Sequence, residues 1–417
     1  MPTHKKPEPS RGPKTQDAEP ADLLEDEWSS TPAVPIAPHP ARDFIRRPPI
    51  FDLANRVNVI WESSRVDDVN QIFATRWNAA DPDTTLPTNT VPQQVSAGPA
   101  AHETPAAVML PGGDLLIAYQ TAQKDIYFKR APFERLRTAT ERPVATSQRD
   151  SEEYPFVLRS GTRLVFFWIS SDPDNPRPLL RARVRTYTAA WTEAEATWGP
   201  AHDLSQTEIY LGVGGASVFH AAVDEAGEIW AAFQTDDDMI QPLRFNPATG
   251  QTTQPFPVQI HGARSFNPAV VVEDKRAVWV LWDAGQRIYS LRFRRDLDPP
   301  RWETNPTPVP GAATGSDAHP AAVCDAAGVL WLLWSRSRPD PDPPPDAYDR
   351  ELLDLYVARH YPGAGWSEPF RVSASPFSGF RPVPVLAPDG RIWLFWSGAI
   401  DGDGQADLYF KQLRTST

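Results

Sequence analysis

The sequence predicts an all-β chain, a seven-bladed β-propeller of four-stranded antiparallel blades. Three observations predict it. A strand ending on an aromatic residue recurs at roughly 50- to 65-residue intervals, at Trp61, Tyr119, Trp168, Phe233, Trp282, Trp334 and Trp396, and that period suits a propeller blade. Short apolar stretches of β-branched and aromatic residues alternate with turn residues, and no stretch of the repeat keeps a 3.6-residue helical period. The 46 prolines among 417 residues suit many short strands and oppose long helices.

Each copy has the parts of a blade. A first strand begins near a proline in most copies: PPIF at 48–51, PAAV at 105–108, PFVL at 155–158, HAAV at 220–223, PAVV at 268–271, PAAV at 320–323 and PVPV at 382–385. The aromatic strand follows, as IWAAF at 229–233 or LWLLW at 330–334. A third strand reads QIFATR at 71–76, DIYFKR at 125–130, DLYVAR at 354–359 and DLYFKQ at 407–412. A fourth follows a Trp, in TWGPAHDLS, RWETNPTPVP and GWSEPFRVS. The large aromatics are expected to be inter-blade core, each contributing about 1.5–3 kcal/mol by burial.

The last copy has no fourth strand. Residues 28–36, WSSTPAVPI, match the missing element, with Trp28 in the place of Trp302 and Trp366. Closure of the last blade by this N-terminal strand removes two exposed sheet edges and makes 28–417 one domain. Residues 1–27 are charged, Pro-rich and poor in large apolar groups, so they are expected to be a disordered tail. Within that tail's end, ADLLEDEW at 21–28 is a candidate docking peptide. The hairpin loop at 335–353 holds five prolines between 339 and 345 and reads as an extended arm.

A net charge of −12 without a basic run argues against nucleic acid as a partner. The chain has no apolar h-region near its start and no 18-residue apolar run, so neither a Sec signal nor membrane insertion is expected. A cytoplasmic location, or export by a signal-less route, follows. One cysteine, Cys324, rules out an internal disulfide framework.

The units HPAAVCDAAGVLWLLWS with DLYVAR, and RPVPVLAPDGRIWLFWS with DLYFKQ, resemble the repeats of bacterial sialidase-like (BNR-type) β-propeller proteins. The resemblance covers nearly everything after residue 27 and implies the propeller fold. It also implies an Asp box at blade hairpins, three arginines on a substrate carboxylate, a Tyr–Glu nucleophile pair and an Asp acid. No Asp box is found, and none of those catalytic residues falls on a matching motif, so none is carried over.

Loops that enter the first strands and loops that join the second and third share one face, around the mouth of the central channel, which is the default binding site. Residues at the starts of the first strands form a mixed ring. The binding candidates are Arg47, His102, Glu103, Glu153, Tyr154, Asn267, His319 and Arg381, a set suited to a carbohydrate or a carboxylate. Arg47 and Arg381 belong to neighbouring blades. Glu103 with Glu152 or Glu153 is a candidate carboxylate pair for acid/base chemistry. Asp401, Asp403 and Asp407 alternate as oxygen ligands of a calcium loop do, so Ca2+ is the one candidate cofactor. With no catalytic constellation identified, the leading expectation is a non-enzymatic binding or scaffold propeller for a protein or glycan, open to a place in a larger assembly, and the alternative is a glycoside hydrolase or lyase at the channel mouth.

Overall fold

The computed structural model describes residues 33–78, 90–147, 150–172, 175–186, 198–210, 218–311, 315–339, 351–373, 378–399 and 406–413. Its strands form seven antiparallel sheets, taken in chain order as blades 1 to 7: residues 43–94, 102–145, 151–203, 219–253, 265–308, 317–371 and 378–413. Every blade runs outward from its first strand, and the seven aromatic strand ends are buried at 0–2% exposure, so they are core as expected. No helix among the described residues is long and apolar enough to cross a membrane.

Ring closure is as the sequence indicates over residues 34–36, while 28–32 of the expected strand lie outside the described residues. Val34–Ile36 pairs antiparallel with Ala406–Leu413, Val34 opposite Phe410 and Ile36 opposite Leu408. Trp28 and the 1–27 tail lie outside the described residues. Aromatic stacking ties the ring elsewhere: Trp302 of blade 5 packs on Trp230 of blade 4 at 6.3 Å, Trp366 of blade 6 on Trp279 of blade 5 at 5.8 Å, and Trp77 of blade 1 on Trp393 of blade 7 at 6.3 Å.

Two expectations need correction. The 335–353 segment is not loop throughout, because Leu330–Pro339 and Glu351–Tyr361 continue as a paired hairpin with Pro339 opposite Glu351. Pro339 sits at the strand end, where no further ladder donor is needed, and 340–350 lie outside the described residues. The first strand of blade 1 is broken into Asp43–Phe44 and Ile50–Phe51, both paired with Arg56–Val66. Arg46-Arg47-Pro48-Pro49 fills the break, since two consecutive prolines cannot donate to the ladder.

In two blades an aspartate pins the hairpin between the first and second strands. Asp224 Oδ1 accepts from the amides of Ala226 and Glu228, and Oδ2 from the Trp230 indole at 3.0 Å. Asp325 does the same with Ala327, Val329 and Trp331. The pattern Asp-x-x-Gly-x-x-Trp thus pins the hairpin between first and second strands, with Gly227 and Gly328 taking the left-handed position at φ +81° and +76°.

Candidate functional site

In five blades the first strand carries a bulge at the same place. The register shifts between Glu103 and Ala106, Glu153 and Phe156, Phe266 and Ala269, Ala318 and Ala321, and Phe380 and Val383. Inside each bulge one residue has a positive φ of 50–55°: Thr104, Tyr154, Asn267, His319 and Arg381. Each stands directly before a proline. Such a conformation costs about 1–3 kcal/mol for a residue with a side chain, and a bulge re-aims that side chain. All five line one cavity of about 100 Å³, with Arg46 and Arg47 from the break in blade 1 and His220 from blade 4. Seven inner strands therefore each supply a side chain to an axial well.

The polar residue after the aromatic strand end holds four of these five bulges. Glu62 Oε2 accepts from the Thr104 amide at 2.9 Å, Gln120 Oε1 from Tyr154 at 3.1 Å, Asp283 Oδ1 from His319 at 3.2 Å, and Ser335 Oγ from Arg381 at 3.2 Å. At the seam Ser397 Oγ accepts from the Ile45 amide at 3.1 Å. Each bond runs from one blade to the next, so the strain of the bulge is held by a neighbouring blade rather than by its own strand.

Three guanidinium groups dominate the electrostatics. Arg46 forms a two-point salt bridge with Glu62, at 2.9 and 2.6 Å. Arg381 stands near Arg46, Glu62 and Tyr154, and burial, aided by Arg46, lowers its pKa to about 10. Arg47 lies deeper, its guanidinium carbon 4.2 Å from the Phe156 ring centre and 5.7 Å from that of Phe219. Burial and then repulsion by Arg46 push Arg47 down to about 9.

Two imidazoles are kept neutral. His220 Nδ1 accepts from the Val270 amide at 3.1 Å, and burial followed by the charge of Arg47 lowers its pKa to about 3. Burial and then Arg381 lower His319 to about 4, and its Nδ1 has no hydrogen-bond partner among the described residues. The unfolded chain protonates both near pH 6.5, so their contribution to stability is full above that value and is lost as pH falls toward 4. Asp283, raised to about 6 by burial, works in the opposite direction, favouring the folded state as pH falls from 6 toward 4. Asn at position 220 keeps an acceptor for Val270 but cannot titrate. His220→Asn is therefore expected to show a smaller fall in melting midpoint than the parent between pH 6.5 and 4.5, and an equal fall would contradict the assignment.

Of the sequence candidates, the structure brings Arg47, Tyr154, Asn267, His319 and Arg381 together in the well. His102, Glu103 and Glu153 do not line it. His102 is buried edge-on against Tyr119 at 5.4 Å, Glu103 accepts from Asn70 Nδ2 at 3.1 Å, and Glu153 pairs with Lys124 at 2.9 Å. They precede the bulge, where strand alternation and hairpin partners turn them away from the axis. Glu152 lies buried within blade 3, its pKa raised to about 7 by burial, so no carboxylate pair with Glu103 faces the well. Asp401 and Asp403 lie outside the described residues. Asp407 sits in the third strand of blade 7, where the His39 amide donates to its Oδ1 at 3.4 Å. No group of three metal-ligating side chains occurs among the described residues. Thr104 was missed, although aligning the residue before the first-strand proline across copies would have found it.

No protein-family model matches this sequence, and no curated protein sequence matches it. Solved structures do. An oligogalacturonate lyase in complex with manganese is similar over 90% of this chain and 90% of its own, with 14% identity and a TM-score of 0.52. A protein of unknown function from Dyadobacter fermentans is similar over 93% of this chain and 99% of its own, with 9% identity and a TM-score of 0.52. NanB sialidase from Streptococcus pneumoniae is similar over 89% of this chain and 68% of its own, with 10% identity and a TM-score of 0.46. What these proteins share with this chain is the propeller fold.

Proposed function

We propose that this chain is a non-enzymatic binding propeller that takes an acidic carbohydrate at its axial well. A carbohydrate-related role fits the fold, and the well's chemistry favours an acidic carbohydrate. The observation that carries the reading is the charge balance: Arg46, Arg47 and Arg381 converge there, and Glu62 neutralises Arg46 from behind. Arginine's planar fork suits carboxylates, while Tyr154, Asn267, Thr104 and neutral His319 offer the hydrogen-bonding groups that sugar hydroxyls need. A two-carboxylate glycosidase would place acids across the sugar, and no Asp or Glu is among the described residues lining the well.

Glycan-array screening followed by calorimetry is expected to show binding of uronic- or sialic-acid-bearing glycans and none of their neutral counterparts. Arg381→Ala is expected to weaken it about 10- to 100-fold, the loss of one charge-assisted contact. Equal binding of neutral glycans would overturn the acidic specificity. Release of reducing ends or of unsaturated products by the parent protein would replace binding with the hydrolase or lyase alternative.

A further inference from the structure

Arg47 and Arg46 are adjacent in sequence and differ in what compensates them. Arg46 has Glu62. Arg47 leaves the break in the first strand of blade 1 and crosses the bore to the wall made by Phe156 of blade 3 and Phe219 of blade 4. Part of its surface is open, but it opens to the well, which it lines. The two rings attract the face of the guanidinium, a contribution of about 2 kcal/mol when desolvated, and leave its in-plane N–H donors untouched. Those donors meet no hydrogen-bond acceptor and no carboxylate among the described residues. The one neighbouring charge acting on Arg47 is that of Arg46, which repels it.

A charge enclosed in this way without a partner is costly, and removing the counter-charge of a buried pair typically destabilises strongly. His220 beside it cannot supply a negative charge. Its Nδ1 is occupied as an acceptor from Val270, so the neutral ring carries its proton on Nε2 and adds another donor to the residues lining the well. The bore beside Arg47 is therefore rich in donors, and Arg47 brings to it a positive charge with no counter-charge among the described residues.

We propose that the floor of the axial well is a seat for a small monoanion, of halide or carboxylate type, gripped by Arg47 with His220 as second donor and Phe156 and Phe219 as its apolar backing. A monoanion neutralises the charge of Arg47, which no carboxylate among the described residues does. The seat does not depend on a glycan at the rim. Its occupant is either a free inorganic ion or the acid group of an organic ligand, and both have the same chemistry at Arg47.

The test uses the full chain at constant ionic strength, with chloride, bromide or acetate replacing sulfate. The melting midpoint of the parent is expected to rise saturably, by about 2 °C or more, as the monoanion fills the seat. Arg47→Met should lose the monoanion-specific rise, and subtracting its response removes general salt effects. Crystals of the parent grown in bromide should show anomalous density at the Arg47 guanidinium, which keeps the test decisive if Arg47→Met fails to fold. A stronger response to acetate than to halides identifies the seat as one for organic acids, and the reverse identifies a resident ion. Identical responses of parent and Arg47→Met, or bromide-grown crystals without density at Arg47, would overturn the proposal. A negative glycan array would not.

Discussion

A chain lacking residues 1–36 is expected to lose its cooperative thermal transition, while one lacking only 1–27 keeps the parent midpoint. The closing strand is three residues long, yet it caps a concentrated apolar cluster. Ile36 is fully buried with Trp393, Phe395, Leu408 and Phe410 of blade 7 and Trp77 of blade 1. Without it, the third strand of the last blade becomes a bare edge beside blade 1, with unpaired backbone groups. The chain just after it is also held, because Arg65 Nη2 donates to the Ala37 carbonyl at 2.6 Å while pairing with buried Asp43. The point variant Ile36→Ala is expected to cost about 2–5 kcal/mol, the usual range for truncating a buried isoleucine. Calorimetry of the three chains checks this. An unchanged midpoint for the 1–36 deletion would show that the ring closes without its strand.

Asp317→Ala is expected to destabilise the protein by about 3–5 kcal/mol. Asp317 opens the first strand of blade 6 and is 5% exposed. Its Oδ1 accepts from the Trp334 indole at 2.8 Å and from Arg336 Nε at 2.5 Å, and its Oδ2 from Arg336 Nη2 at 3.0 Å. Arg336 in turn lies 4.2 Å from the centre of the Tyr356 ring. Removing the carboxylate leaves an enclosed guanidinium and an indole donor unsatisfied at once. Replacing Arg336 by Met as well should recover much of the loss, because the double variant no longer buries a lone charge. Urea unfolding of the two single variants and the double variant measures the coupling. Additive losses would mean that the pair is not energetically linked.

The repeat was legible because both its signals are local. An aromatic strand end and a turn lie within a few residues of each other, and their recurrence survives without any knowledge of contacts. Closure was legible for the same reason: 28–36 looks like the element that the last copy lacks. The site was partly legible. Five of the eight candidate residues reach the well, and all five stand directly before the proline at which their copy's first strand begins in the sequence. His102, Glu103 and Glu153 lie one or two residues earlier, where nothing in the sequence distinguishes a side chain aimed at the axis from one aimed at a hairpin neighbour.

The sequence by itself determined the blade count, the strand order within a blade and the element that closes the ring, since these follow from periodicity and from one unmatched strand. Only the tertiary structure decided which side chains face the axis. That depends on bulges whose strained residues are held by hydrogen bonds from the adjoining blade, Glu62 to Thr104 or Asp283 to His319, between residues 36 to 42 positions apart in the chain. The same is true of Arg46 and Arg47. They are neighbours of identical chemistry in the sequence, and one is neutralised by Glu62 while the other crosses the bore to Phe156 and Phe219, because a break in a single strand turns them to different depths of the well.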